Sequence, residues 1–174
     1  VRMRFALLVE RNGFNLADLD GQVFFTERPF AIDSPLIRDA FIENASRHGP
    51  FDFCVIDTGP AHASLDDEND NRAMHKLAIA MRQTAERIGS PCTLALMHPV
   101  KNAVRGNLLP RGGSSFTGSI DGVLCAWRDG GKIVEIFPHQ DKFRGEHFES
   151  MYFELEPIEH PSIKDNFGHP GRAV

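Results

Sequence analysis

A chain of 174 residues is long enough for one α/β domain with a substantial core and short for two. Its hydrophobic share of 41% and charged share of 25% are ordinary for a globular protein, and no apolar run approaches the roughly 18 residues of a membrane span, so it is expected to be soluble and cytoplasmic. The net charge of -5 argues against a general nucleic-acid adhesive but leaves room for a local basic loop.

The chain opens on Val1, and Arg2-x-Arg4-Phe5-x-x-Leu8-Val9 already has helical spacing with no secretory-type apolar stretch. It is therefore expected to begin in mid-fold, after an upstream segment. Residues 2 to 12 suit a helix closed by Gly13, and Gln22-Val23-Phe24-Phe25-Thr26 reads as a short strand. Ser34 as cap and Pro35 at the first helical position open the next helix, whose apolar stripe is Leu36, Ile37, Ala40, Phe41 and Ala45; Gly49-Pro50 stops it.

Phe53-Cys54-Val55-Ile56-Asp57 is continuously apolar up to its aspartate, as expected of a central strand covered on both faces. The acidic run Leu65 to Asn71 follows as loop and helix start, where negative charge suits the positive end of the helix dipole. Ala73, Met74, Leu77, Ala78, Met81 and Ala85 mark one helix face that ends at Gly89. A second apolar strand, Cys92 to Met97, leads into His98. The unit reads β-α-β, with Asp57 and His98 delivered to one edge of a parallel sheet, and ligands of open α/β sheets collect at the carboxyl ends of the strands.

Residues 99 to 120 carry Lys101, Arg105 and Arg111, no acidic residue, and the cluster Arg111-Gly112-Gly113-Ser114-Ser115, a long basic loop expected to be flexible. Gly122 to Arg128 and Lys132 to Phe137 form two strands joined through Asp129-Gly130-Gly131, a strong hairpin signal. A last strand is placed at Phe148 to Leu155, and the stretch from Pro157 is expected to be irregular. Cys54, Cys92 and Cys125 fall inside predicted strands without the close pairing of zinc or redox motifs, and are expected to be reduced core residues.

A strand ending in Asp is how many ATPases hold the magnesium of bound nucleotide, because a hard cation wants carboxylate oxygen beside the phosphates. The competing explanation is an aspartate capping its own loop. His98 could hydrogen-bond a phosphate or the attacking water, or be a backbone-bonded structural histidine. A hydrolase metal cluster of Asp57, His62, Asp66 and Asp67 is a further alternative. His139, His147, His160 and His169 show no assignable spacing and read as surface residues.

Together these features resemble the later half of RecA-like ATPases of the plasmid replicative-helicase (RepA) type, over about residues 50 to 155. The family's magnesium strand, four apolar residues then Asp-Thr, is matched by Phe53 to Thr58, and its Asp-Glu-Asn-rich segment by Asp67 to Asn71. The next family strand ends in His-His-x-x-Lys; Met97-His98-Pro99-Val100-Lys101 keeps one histidine and the lysine. An Arg-Gly-Ser-Ser element has its counterpart in Arg111 to Ser115 with one extra glycine, and Phe24 to Pro29 looks like the strand and turn before the family's third helix.

The resemblance implies a RecA-like three-layer α/β sandwich over residues 1–156, with a mostly parallel sheet and antiparallel hairpin strands at its C-terminal end, and an irregular tail over 157–174. It implies ATP and magnesium as cofactors, Asp57 and Thr58 binding them with Asp57 as metal residue, and His98 as phosphate sensor. Lys142-x-Arg144-Gly145 resembles the finger that one subunit of a homo-oligomeric ring, such as a hexamer, extends to its neighbour's phosphate; two solvated basic residues are the alternative. Lys101, Arg105 and Arg111 would then face single-stranded DNA, with only Phe116 available for base stacking. No membrane partner is expected.

The chain departs from the family in having no Gly-x-x-x-x-Gly-Lys-Ser/Thr. The nearest candidate, Gly131-Lys132, has Ala126 where the first glycine should be and sits in a predicted hairpin. In the family the phosphate loop and the catalytic glutamate lie upstream of the matched region. The chain by itself is therefore expected to bind ATP poorly and hydrolyse it negligibly. The alternative function is a non-hydrolysing RecA-like scaffold or DNA-binding subunit.

Overall fold

The computed structural model describes residues 2–26, 28–64, 70–111, 113–164 and 168–173. In chain order they form α1 (Arg2–Arg11), a 3-10 turn (Leu16–Leu19), α2 (Pro35–Ala45), β1 (Phe53–Asp57) and a second 3-10 turn (Gly59–His62). These are followed by α3 (Asn71–Arg87), β2 (Cys92–Leu96), α4 (Gly113–Thr117), β3 (Gly122–Trp127) and β4 (Ile133–Phe143). The last three elements are β5 (Met151–Glu154), β6 (Ile158–Lys164) and β7 (Pro170–Ala173). The protein is mixed α/β: β1 and β2 make a parallel pair, β3-β4-β5 a three-stranded antiparallel sheet, and β6 and β7 an antiparallel pair. No helix among the described residues is long and apolar enough to cross a membrane.

The chain divides into two compact units. One comprises Arg28–Trp127 and Ile136–Ser150. Its centre is α3, whose buried residues Met74, Leu77, Ala78, Ala80, Met81 and Thr84 follow the expected helical spacing. Asp70 caps that helix, its carboxylate accepting the amides of Arg72 and Ala73 at 2.8 and 3.4 Å. Ile32, Ile56 and Phe116 complete the core around α3, with Cys54, Ala95 and Met97 packed against it. Phe116 is only 2% exposed, which removes it as a stacking platform for bases.

Three expectations are corrected in this unit. Among the described residues the β1–β2 pair is covered on one face only: Ile56 is buried against α3, while Phe53, Val55, Leu94 and Leu96 stand 57%, 52%, 38% and 41% exposed. In α2 the buried residues are Ile42 and Ala45 rather than Leu36 and Ile37, because the helix packs on Ile88 at the end of α3 through its C-terminal turns. The stretch 99–120, expected to be one long loop, is a loop excursion over 99–111 but contains the helical turn α4. Isolated bridges join Pro99 to Pro110 and Val104 to Asn107, and the Val100 amide donates to the Leu109 carbonyl at 3.2 Å.

The other unit comprises Val1–Glu27, Arg128–Glu135 and Met151–Val174. Leu7 and Val9 form the buried side of α1, which packs against β6 and β7, and Arg11 pairs with Glu156 at 2.9 Å. The strand expected at 22–26 is not formed. The amides of Gln22 and Val23 turn back to the Leu19 carbonyl, and the Phe25 ring meets Phe5 edge-on at 5.4 Å. Residues from Pro157 onward, expected to be irregular, contain β6 and β7, with Ile158 opposite Ala173 and Glu159 opposite Arg172. Backbone pairing there needs no apolar period, which is why the sequence pattern does not announce it.

Candidate active site

Parallel register fixes the edge on which the candidate residues stand. Phe53 pairs with Cys92 and so on to Asp57 with Leu96, so both strands end at the same level and His98 follows two residues past its strand. Asp57 and His98 are both exposed, the former ahead of the Gly59–His62 turn and the latter at the base of the 99–111 excursion, where its carbonyl accepts the Arg111 amide at 3.4 Å. Thr58, half-buried, is the residue from which that turn starts.

Beside Asp57 lies His62, 9% exposed. Its Nδ1 accepts the Phe30 amide at 3.4 Å, its ring meets the Phe30 ring edge-on at 5.2 Å, and its carbonyl accepts the Ile32 amide at 2.9 Å. The Ser64 amide adds a further tie, to the Asp33 carboxylate at 2.9 Å. Burial lowers the His62 pKa below the ordinary histidine value, outweighing the Asp57 charge, which favours the protonated ring. His62 is thus a buried neutral imidazole that fastens residues 30–33 beside the strand end.

Asp66 and Asp67 lie outside the described residues, and among the described residues no three His, Cys, Asp or Glu side chains are grouped so that they could hold a metal ion.

The three basic residues of the excursion stand apart in their surroundings. Lys101 is exposed, the Arg105 guanidinium lies over the Phe137 ring at 4.5 Å, and Arg111 is half-buried at the base. Arg105 also lowers the pKa of buried Cys125, which burial itself raises by more; burial raises that of Cys54 too. Cys92, expected in the core, is exposed on the open face of the sheet.

β4 runs on through Pro138 to Phe143, so Lys142 belongs to a strand and only Arg144 to the turn beyond it. Both line a pocket of about 160 Å³ with Thr117, Gly118, Asp121 and Asp141. The Phe143 ring is seated between two glycines: a Cβ on Gly122 would come within 2.7 Å of it and one on Gly145 within 3.0 Å. The Arg144 side chain donates to the Gly118 carbonyl at 3.4 Å and stands 3.7 Å from the Asp121 carboxylate, which Arg82 of α3 also approaches at 3.8 Å.

Sequence reasoning did not single out His62 as a fastening residue, Asp121 as a shared counter-ion, or Gly59. The last was open to detection, since a glycine just past a strand end often marks a close approach of another chain segment. Comparison of the chain with protein-family models, with curated proteins and with solved structures found no match.

Proposed function

We propose that the chain carries the magnesium-holding and phosphate-sensing edge of a RecA-like, DNA-acting ATPase of the replicative-helicase type. The observation that supports this most directly is the level ending of β1 and β2, with Asp57 on one strand and His98 just past its parallel neighbour. In this reading Asp57, with Thr58 beside it, holds the magnesium of ATP, and His98 hydrogen-bonds the terminal phosphate or the attacking water. Lys142 and Arg144 act on the nucleotide of the next subunit in a homo-oligomeric ring, and Lys101, Arg105 and Arg111 contact the backbone of single-stranded DNA.

When bound, magnesium supplies charge neutralisation at the phosphates; the chain's own contribution is to orient that ion and present a proton donor opposite it. The main phosphate grip of such enzymes comes from a glycine-rich loop, and the 174 residues contain none. Weak magnesium-ATP binding and negligible turnover are therefore expected of this chain by itself. The test is calorimetry with magnesium-ATP on this chain and on a version extended upstream by about 100 residues, a size typical of the balance of an ordinary domain. Tight binding by the extended chain only, lost in Asp57→Ala, supports the reading.

A second reading, a non-hydrolysing scaffold or DNA-binding subunit with the same fold, is favoured by that missing loop. It predicts no nucleotide binding by either chain.

A further inference from the structure

Asp57 and His98 can act together only if the two strand ends keep a fixed spacing, and just beyond the Asp57–Leu96 pairing lies a side-chain contact between them. Gly59, buried two residues after Asp57, faces the thioether of Met97, the residue before His98. A Cβ placed on Gly59 would overlap Met97 Sδ outright, and would also meet Met97 Cε at 3.5 Å and Met81 Cε at 3.3 Å. Methionine is usually adaptable. Here the half-buried Met97 packs against the α3 core that contains Met81, so its thioether is restrained on that side. The overlap is relieved by a new rotamer at Met97 or by a shift of the backbone at position 97, which would carry His98 with it.

We propose that Gly59 and Met97 form a size-matched contact that sets the separation of Asp57 from His98, so that Gly59 is a positioning residue for the pair. The functional meaning rests on the reading of Asp57 and His98 given above, whereas the contact itself does not. Chemistry at such an edge is sensitive to placement: a shift of about 1 Å can cost about a hundredfold in rate.

The test compares wild type, Gly59→Ala, Met97→Ala and the double variant by carbon-resolved NMR of the histidine rings in the ligand-free chain, with the His48 ring after α2 as bystander. Gly59→Ala is expected to displace the His98 resonance while leaving His48 in place, and the double variant, in which the smaller side chain accommodates the new methyl, is expected to return it toward wild type. Should Gly59→Ala fail to fold, recovery of folding in the double variant is the same rescue. An unmoved His98 in folded Gly59→Ala would overturn the proposal. So would equal displacement in the single and double variants, or a double variant that folds no better than an unfolded single one.

Manganese-ATP, whose paramagnetism broadens nearby resonances, supplies the functional arm on the upstream-extended chain. Apparent affinity should fall about tenfold or more in Gly59→Ala, as expected for misplacement of paired groups, and recover in the double variant. Binding that is unchanged by Gly59→Ala would overturn the positioning role. Absence of binding by the wild-type extended chain would defeat the ATPase reading, while the ligand-free His98 comparison would still decide the contact.

Discussion

Asp121 and Arg144 are joined twice: the Arg144 amide donates to the Asp121 carbonyl at 3.1 Å, and the guanidinium stands 3.7 Å from the same residue's carboxylate. The backbone link belongs to the fold, whereas the ionic one is solvated, the Asp121 side chain being 91% exposed. Solvated pairs contribute about 0–1 kcal/mol, so Asp121→Asn should lower stability by no more than about 1 kcal/mol in urea unfolding. The same substitution leaves Arg82 and Arg144 without their shared counter-ion and should free the Arg144 side chain, read as faster side-chain relaxation by NMR. A large stability loss would instead make Asp121 a structural residue whose charge the fold requires.

His62 makes stability depend on pH in a definite direction. Its folded-state pKa lies below the ordinary value of 6.5, so on acidification the unfolded chain takes up a proton before the folded one does. The stability contributed by the neutral ring is therefore complete above about pH 6.5 and is lost as pH falls from there toward the folded-state pKa. Protonation also removes the acceptor for the Phe30 amide, so hydrogen exchange at Phe30 should accelerate in the same range. His62→Gln should flatten the dependence of the urea midpoint between pH 5 and 8 relative to wild type. Parallel curves for the two proteins would show that another group dominates acid lability.

Within the basic excursion, the DNA reading assigns different consequences to two residues of like charge. Lys101→Ala should weaken binding to a labelled oligothymidine and reduce the salt slope by about 0.7, the value for one lost single-strand phosphate contact. Arg105→Ala should do the same and, in addition, lower thermal stability, because its guanidinium lies over Phe137. Fluorescence anisotropy at several salt concentrations checks the first effect and a thermal melt the second. Affinities equal to wild type in both variants would remove the excursion from any DNA interface.

What the sequence disclosed and what it hid divide along a physical line. The β1–α3–β2 unit was legible because its signals are local and strong: two continuous apolar strands, an acidic run at the helix start, and a stripe from Met74 to Met81 at helical spacing. Asp57 and His98 could thus be placed on one edge. Features that depend on a distant partner were not legible. Phe24 and Phe25 have strand-forming character but pair with no strand among the described residues, and Leu36 is 82% exposed although it fits a helical stripe. Pro138 reads as a strand end because it lacks an amide hydrogen, yet β4 continues past it to Phe143. The bridges that fold residues 99–111 and the Gly59–Met97 contact arise from tertiary proximity, for which composition and periodicity carry little signal.

The parallel register of β1 and β2 also governs when the candidate edge comes into being. An antiparallel hairpin such as the one turning at Gly130 can form from a local nucleus, but Asp57 meets its partner Leu96 only after the whole intervening crossover, α3 included, has closed. Contacts of that sequence separation form slowly, because chain closure must precede any stabilising pairing. Asp57 and Leu96, and His98 with them, therefore come together after the hairpin, and substitutions that slow the docking of α3, such as at Leu77, would delay the edge while leaving the hairpin's formation unaffected.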